Sequence, residues 1–239
     1  MLPRMKYEAF DAEFATFKAS HPGASFADFY AHRVLTQIEL GVRHATLGPT
    51  LKNSDDLTRE QFVEICVDGG VTPETRLLDY GCGTLRTGRL FIRRLRRGHY
   101  MGMDVAQSLL DMGRELTGRQ LLENRRATLH VIDEQGMARG IAFNADVVLS
   151  FGVAHHVHPD ELAIYFRNLS RLAHKDGALI ILTTTIGAGR SANMTWARPV
   201  DCYVKGLPGH DLRKITNMYD PITKRGVTYT RARLVFQRR

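Results

Sequence analysis

The sequence predicts an α/β fold, a mostly parallel sheet with helices on both faces, preceded by a helical cap. Two observations carry this. From Thr72 onward short apolar runs alternate with helical stretches, and strands spaced that way need crossover helices, which makes the sheet parallel. Before Thr72 the periodicity is helical only.

Taken in order, Tyr7, Phe10, Phe14 and Phe17 recur at three- and four-residue steps, placing four rings on one helix face that ends near His21-Pro22-Gly23. A stripe at that spacing is a packing face, so this helix needs a partner surface. A second helix is expected from about Ser25 to Leu40. A third is expected from about Leu57 to Asp68, entered through Ser54-Asp55-Asp56 and closed by Gly69-Gly70. Strands follow at Arg76 to Tyr80, Tyr100 to Val105, Thr128 to Asp133, Asp146 to Phe151 and Ala178 to Thr184. Beyond Thr184 the chain is rich in Gly and Pro as far as Asp211. It then returns as Leu212 to Tyr219 and Val227 to Gln237, an antiparallel hairpin closing the sheet around the loop from Asp220 to Gly226. The division is a cap over 1–70 and one catalytic-sized domain over 71–239.

The 239 residues are 44% hydrophobic and 24% charged, an ordinary globular composition. No apolar run approaches the roughly 20 residues a membrane helix needs, and charges occupy the first ten residues where a signal peptide would be apolar. A cytoplasmic location is expected. Cys66, Cys82 and Cys202 are far apart and form no C-x-x-C pair, so neither a zinc knuckle nor a disulfide framework is indicated. The net charge of +8 favours acidic partners in general. Much of it lies in Arg89, Arg93, Arg94, Arg96 and Arg97 and in the tail from Arg231 to Arg239, runs expected to form solvated faces.

The chemistry is carried by Leu77-Leu78-Asp79-Tyr80-Gly81-Cys82-Gly83-Thr84-Leu85-Arg86-Thr87-Gly88, a strand, a glycine turn and a helix start. Glycine lets a backbone approach a ligand closely. A dinucleotide fingerprint would need glycine at Arg86, and a phosphate-binding loop starting at Gly83 would need Lys and Ser/Thr at Arg89 and Leu90. Both fail. Asp104, 25 positions after Asp79, closes the second strand, where a carboxylate can accept hydrogen bonds from both ribose hydroxyls of an adenosine.

On these residues the chain resembles the class I S-adenosylmethionine-dependent methyltransferases. Four segments agree in order: Leu77 to Gly83, Gly102-Met103-Asp104-Val105, Asp146 to His156, and Leu172 to Leu182 with Asp176-Gly177 before the fifth strand. The resemblance covers about Val71 to Thr184. It implies a Rossmann-like seven-stranded sheet whose last strand is antiparallel, and S-adenosyl-L-methionine as cofactor. It further implies cofactor contacts at Asp79, Gly81, Cys82, Gly83, Thr84, Leu85 and Arg86, at Asp104 and Val105, at Asp133, and at Ser150 and Phe151. The family's common third glycine falls at Leu85, a departure. Arg86 either pairs with the methionine carboxylate or points to solvent.

Methyl transfer from a sulfonium is an in-line displacement, so the protein's main task is positioning. A hydroxyl or protonated amine acceptor gains from a general base, and His155, His156 and His158 follow the fourth strand. His156 is preferred, His155 is the fallback, and His158, just before Pro159, begins the next helix. The alternative is that the pair only orders the loop. No metal site is expected from these histidines. The chain reads Ser150-Phe151-Gly152-Val153 where exocyclic-amine nucleic-acid methyltransferases carry Asn/Asp-Pro-Pro-aromatic, and it has no Pro-Cys pair for cytosine chemistry. Three functions stay open: methylation of an O or N atom of a small molecule or glycan, methylation of RNA or protein through the basic surface, and a non-catalytic adenosine-binding module. The absence of an RNA-binding signature favours the first and disfavours nucleic acid.

Overall fold

The computed structural model describes residues 5–41, 59–224 and 226–239. The N-terminal region holds α1 (Met5–Ser20), α2 (Phe26–Glu39) and α3 (Arg59–Asp68). The expected entry to the third helix, Ser54 to Leu57, lies outside the described residues. The α/β part runs β1 (Leu77–Tyr80), α4 (Gly88–Arg94), β2 (Tyr100–Asp104), α5 (Gln107–Thr117), α6 (Arg119–Arg125), β3 (Thr128–Val131), α7 (Glu134–Phe143), β4 (Val147–Phe151), α8 (Leu162–Leu172) and β5 (Leu179–Gly187). A small hairpin follows, β6 (Gly189–Ala192) and β7 (Thr195–Ala197). Then come α9 (Val200–Gly206), β8 (His210–Asn217), β9 (Ile222–Lys224) and β10 (Val227–Arg238).

The main sheet has the order β3-β2-β1-β4-β5-β10-β8, with β9 added alongside β10. β1 to β5 pair in parallel, and β10 runs antiparallel to both β5 and β8. This is the expected seven-stranded path with one extra short strand. The eighth strand forms because Ile222–Lys224, inside the loop of the terminal hairpin, pairs with Val227–Tyr229.

Neighbouring apolar residues divide the core between two faces, since successive strand side chains point to opposite sides. Leu77, Leu149, Ile181 and Val235 pack with Ile65, Phe91 and Leu110 beneath α3 to α6. Their sequence neighbours Leu78, Val148, Ile180 and Phe236 pack with Phe143, Phe166, Leu169 and Tyr203 beneath α7 to α9. Covering both faces explains why these strands are continuously apolar rather than alternating. Each fully buried large side chain contributes about 1.5 to 3 kcal/mol.

The aromatic stripe of α1 is a packing face. Phe10 is buried with Phe26 and Phe29 of α2, and Phe14, Phe17, Met194 and Trp196 close around them. Ser25 caps α2 reciprocally with Asp28, accepting from the Asp28 amide at 3.0 Å while the Ser25 amide donates to the Asp28 carboxylate at 2.8 Å. Val34 sets α2 on α5 through Ala106 and Leu109. Among the described residues no helix is long and apolar enough to cross a membrane.

The Gly- and Pro-rich stretch after Thr184, to which the sequence assigns no element, forms β6, β7 and α9, short elements held by distant partners rather than by their own propensity. One expectation is corrected. The arginine runs are not uniformly solvated faces. Arg93, Arg94, Arg96 and Arg97 are exposed, but Arg89 is buried on α4 and Arg233 is 3% exposed. β10 lies between two strands in a sheet covered on both faces, so residues 232–236 of the tail are all buried.

Candidate active site

The turn after β1 sits at the carboxyl edge of the sheet, and its geometry follows from three bonds to β2. The amides of Gly81 and Cys82 donate to the Met103 carbonyl at 2.7 and 3.0 Å, and the Gly83 amide donates to Asp104 Oδ2 at 2.9 Å. Those amides are therefore not aimed outward as in a phosphate-cradling turn. Gly81 adopts φ +81°, and a Cβ there would meet Val153 Cγ2 at 2.2 Å. Gly83, at φ +53°, would project a Cβ into open space with nothing within 4 Å, so the turn offers a bare cradle at that point. Leu85, standing where the resemblance places a third glycine, keeps the left-handed backbone at φ +61° and is wholly buried. The left-handed conformation costs a leucine about 1 to 2 kcal/mol, which burial of its side chain offsets.

The turn is flanked by two acids. Asp104 is 5% exposed; its Oδ1 accepts from the Ala106 amide at 3.0 Å, and the Val105 amide is a further backbone donor to the carboxylate. Burial raises its carboxyl above the ordinary value, against the pull of its backbone donors. Asp79, 1% exposed, accepts from the Tyr100 hydroxyl at 2.9 Å. Burial pushes it up to about 7; the Tyr100 bond opposes this and the charge of Asp104 adds to it. Tyr30 of α2 is close enough to Asp104 for that charge, after burial, to raise its phenol. The cap therefore reaches the second strand's end.

The remaining cofactor candidates divide. Cys82 and Thr84 are buried in the turn, while Arg86 and Val105 are partly exposed beside it. Asp133 caps α7, its Oδ1 accepting from the Gly136 amide at 2.7 Å, and a cleft of about 480 Å³ opens next to it between α7 and α8, lined in part by Ile132, Met137, Asn168 and Arg171. Ser150 is turned into the core, its hydroxyl 2.9 Å from that of Tyr165, and Phe151 packs against the α3 to α6 cluster. Ser150 thus lies on the α7 to α9 face of the sheet, while Phe151 joins the cluster that also holds Cys82 and Leu85 of the turn.

The loop after β4 carries the histidines. Gly152, at φ +73°, donates to Thr183 Oγ1 at 2.7 Å. Arg198, buried beyond β7, donates to the carbonyls of Ala154 at 2.8 Å and Val157 at 2.5 Å and so fixes the loop from beneath. His155 is 4% exposed, its Nδ1 meets no partner, and burial holds the imidazole well below its ordinary pKa, with His156, Arg231 and Arg198 adding to the shift. His156 lies on the exposed side, its ring centroid 4.1 Å from that of His155, and its Nδ1 bonds the Met194 carbonyl. That bond requires the Nδ1–H form when the ring is neutral, which puts the basic lone pair on Nε2. His158 caps the 3-10 turn at Pro159–Glu161, as expected, and stacks on Phe26 at 4.9 Å.

The β6–β7 hairpin and the cap are fastened together over this loop. Arg190 forms a two-bond pair with Asp11 at 2.8 and 2.9 Å and lies over the rings of Tyr7 and Trp196, while Tyr7 donates to the Arg190 carbonyl at 2.9 Å. Glu161, on the other side, accepts from the Phe26 and Ala27 amides at the start of α2, where a carboxylate is favoured by the helix dipole. Sequence reasoning missed Arg190, Arg198, Trp196 and Glu161, because each acts on residues between 40 and 180 positions away and leaves no local pattern. Among the described residues no group of three or more His, Cys, Asp or Glu is placed to hold a metal.

Residues 78–179, from β1 to the start of β5, match a family model described as a methyltransferase domain. This stretch carries a methyltransferase domain, on a fold shared with methyltransferases solved with S-adenosylmethionine or S-adenosylhomocysteine. Solved structures of the same fold include magnesium protoporphyrin IX methyltransferase from Synechocystis PCC 6803 with bound S-adenosylhomocysteine, at 15% identity, TM-score 0.58, covering 90% of this chain and 98% of that one. Geranyl diphosphate C-methyltransferase from Streptomyces coelicolor A3(2) aligns at 14% identity and TM-score 0.58, over 77% and 79% of the two chains. The [4+2]-cyclase SpnF aligns at 13% identity and TM-score 0.56, over 75% and 80%. No curated protein sequence matches this chain.

Proposed function

We propose that this methyltransferase transfers a methyl group from S-adenosylmethionine to an O or N atom of a small acceptor held between the cap, the β6–β7 hairpin and the loop after β4. The observation that carries this is the fastening of α1 to the hairpin through Asp11 and Arg190, with α2 set against it through Phe26 and Trp196, which roofs the histidine loop. A roofed edge suits a compact acceptor, a metabolite or a sugar unit, better than a long polymer. The exposed Arg93, Arg94, Arg96 and Arg97 support the same choice. They lie in the last turn of α4 and just beyond it, at the opposite end of the sheet from the glycine turn, and so are poorly placed to guide a nucleic-acid chain to the methyl group.

The cofactor supplies an electrophilic methyl group when bound. Asp104 is assigned to the ribose hydroxyls, Asp133 and its cleft to the adenine side, and the bare point of the turn at Gly83 to the methionine side, with Asp79, Gly81, Cys82, Thr84, Leu85 and Arg86 shaping that turn. A cationic cofactor beside Asp79 and Asp104 would favour their charged forms, against the burial that raises both carboxyls. His156 is assigned as the base, its Met194 bond directing Nε2 to take the acceptor's proton. The hairpin orients that ring, and Arg198 holds the loop that carries it. A domain spanning 71–239 under a cap over 1–70 is the organisation this assignment uses.

The deciding experiment is transfer of labelled methyl from S-adenosylmethionine into fractionated metabolites, glycan precursors, RNA and protein. Label in a small-molecule or glycan fraction supports the proposal. Label confined to RNA or protein overturns it, and cofactor binding with no label in any fraction leaves the adenosine-binding module.

A further inference from the structure

Two arginines of β10 share one face of the sheet, and the fold treats them differently. Arg233 lies opposite Thr183 and Arg231 opposite Thr185, two residues nearer the carboxyl edge of β5. Side chains two apart on a strand point the same way. Arg233 is answered by Asp68, with which it forms a buried ion pair, and by Glu64 at 3.1 Å. Arg231 is half-buried, and among the described residues no carboxylate pairs with it. A guanidinium cannot shed its charge by losing a proton, so leaving one desolvated without an anion is costly.

The surroundings deepen the imbalance. Gly152 holds the backbone so close that a Cβ there would stand 3.1 Å from an Arg231 terminal nitrogen and 4.0 Å from His155 Cε1, so both side chains approach the same bare position at the strand edge. His155 Nδ1 is buried without a partner. Burial pulls the Arg231 guanidinium below its ordinary value, Tyr219 opposes this, and the nearby charge of Arg86 adds to it. This edge lies beside the histidine loop, away from Asp104 and Asp133, where the acceptor rather than the adenosine would lie.

We infer that Arg231 and His155, which meet beside the bare Cα of Gly152, form a subsite for an anionic group of the acceptor, a carboxylate or a phosphate. The inference rests on the methyl-transfer reading for the word acceptor. The chemistry of the subsite itself is anion binding: Arg231 supplies a two-pronged charged donor, and neutral His155 supplies a ring nitrogen that donates when the proton sits on Nδ1. The methionine carboxylate of the cofactor has the same chemistry, and the test separates the two.

Inorganic phosphate is titrated into the full chain saturated with S-adenosylhomocysteine, by calorimetry or phosphorus resonance, in wild type, Arg231→Met, Arg231→Lys and the exposed control Arg97→Gln. Wild type and the control are expected to bind phosphate saturably. Arg231→Met should weaken it about ten-fold or more, the scale of a lost charged hydrogen bond. Arg231→Lys, which keeps the charge but loses the fork, should weaken it less and carries the test if the methionine variant does not fold. Affinities for S-adenosylhomocysteine and for methylthioadenosine, which lacks the amino-acid end, should stay within a few-fold in every variant. Absence of phosphate binding in wild type, or equal binding in both Arg231 variants, overturns the subsite. A large loss of S-adenosylhomocysteine affinity with methylthioadenosine unchanged assigns Arg231 to the cofactor carboxylate and overturns the acceptor. Wild type that binds no cofactor removes the methyltransferase reading, and the phosphate titration without cofactor still reads the subsite by itself.

Discussion

Asp79→Asn isolates the energetic cost of ionising one carboxylate beneath the glycine turn. The group is 1% exposed, and burial together with the Asp104 charge lifts it to about 7 despite the Tyr100 bond. The folded chain therefore holds this proton more tightly than the unfolded chain, whose aspartates titrate near 3.9. Stability from such a group is full below the unfolded value and is lost as pH rises through about 7. Between pH 5 and pH 8 the loss is about 2.5 kcal/mol, at about 1.36 kcal/mol per pKa unit over the part of the shift crossed. Asparagine carries no charge at either pH and can still accept from Tyr100. The stability of wild type minus that of Asp79→Asn should thus fall by about 2.5 kcal/mol over that range. Groups whose carboxyls are held low by partners, such as Asp68 and Asp146, are common to both proteins and cancel in the difference. Urea unfolding of both proteins at pH 5, 6, 7 and 8 measures it. Parallel stability curves would refute the reasoning, since they would mean that Asp79 titrates alike in the folded and unfolded chains.

Further substitutions test the site from other directions. Leu85→Gly should destabilise the fold by about 2 to 3 kcal/mol in urea, because the lost burial and the cavity outweigh the relieved left-handed strain; a stabilised variant would show that the leucine is not there for packing. Asp104→Ala should weaken cofactor binding by about 2 to 4 kcal/mol in calorimetry, and unchanged affinity in a folded variant would remove the ribose assignment. His156→Ala should lower turnover by about 100-fold or more with cofactor affinity within a few-fold; comparable turnover would leave the ring as a loop-ordering group. Gly152→Ala, placed at φ +73° against Arg231, should cost about 1 to 2 kcal/mol of stability and also weaken phosphate binding, and an unaffected variant would argue against a close approach there.

The sheet was legible because its strands are buried on both faces, so pairs such as Leu77-Leu78 and Ile180-Ile181 mark them as continuous apolar runs. The α1 and α2 helices were legible from the ring spacing and from Ser25 with Asp28, and the glycine turn from its residue types. What lay beyond reach depends on distant partners. β6 and β7 form where Trp196 donates its amide to the His155 carbonyl at 2.8 Å and its ring meets Phe26, 170 positions earlier. Arg231 and Arg233 looked alike as members of a basic tail, and only the register with β5 and the position of Asp68 tell them apart. The order of burial of the two histidines is likewise set by Arg198 and Met194, which no spacing announces.

The contact between Val153 and the bare Cα of Gly81 gives the domain a mechanical link. The two residues lie in separate loops, one holding the turn beneath the methionine side of the proposed cofactor site, the other leading within three residues to His156. With no side chain between them, the valine methyl rests directly on the backbone of the turn. Any displacement of Gly81 as a ligand settles is transmitted as a push on the neighbouring loop. An alanine at 81 would wedge the two apart, so that the histidines could be misaligned by a substitution that touches neither them nor any substrate.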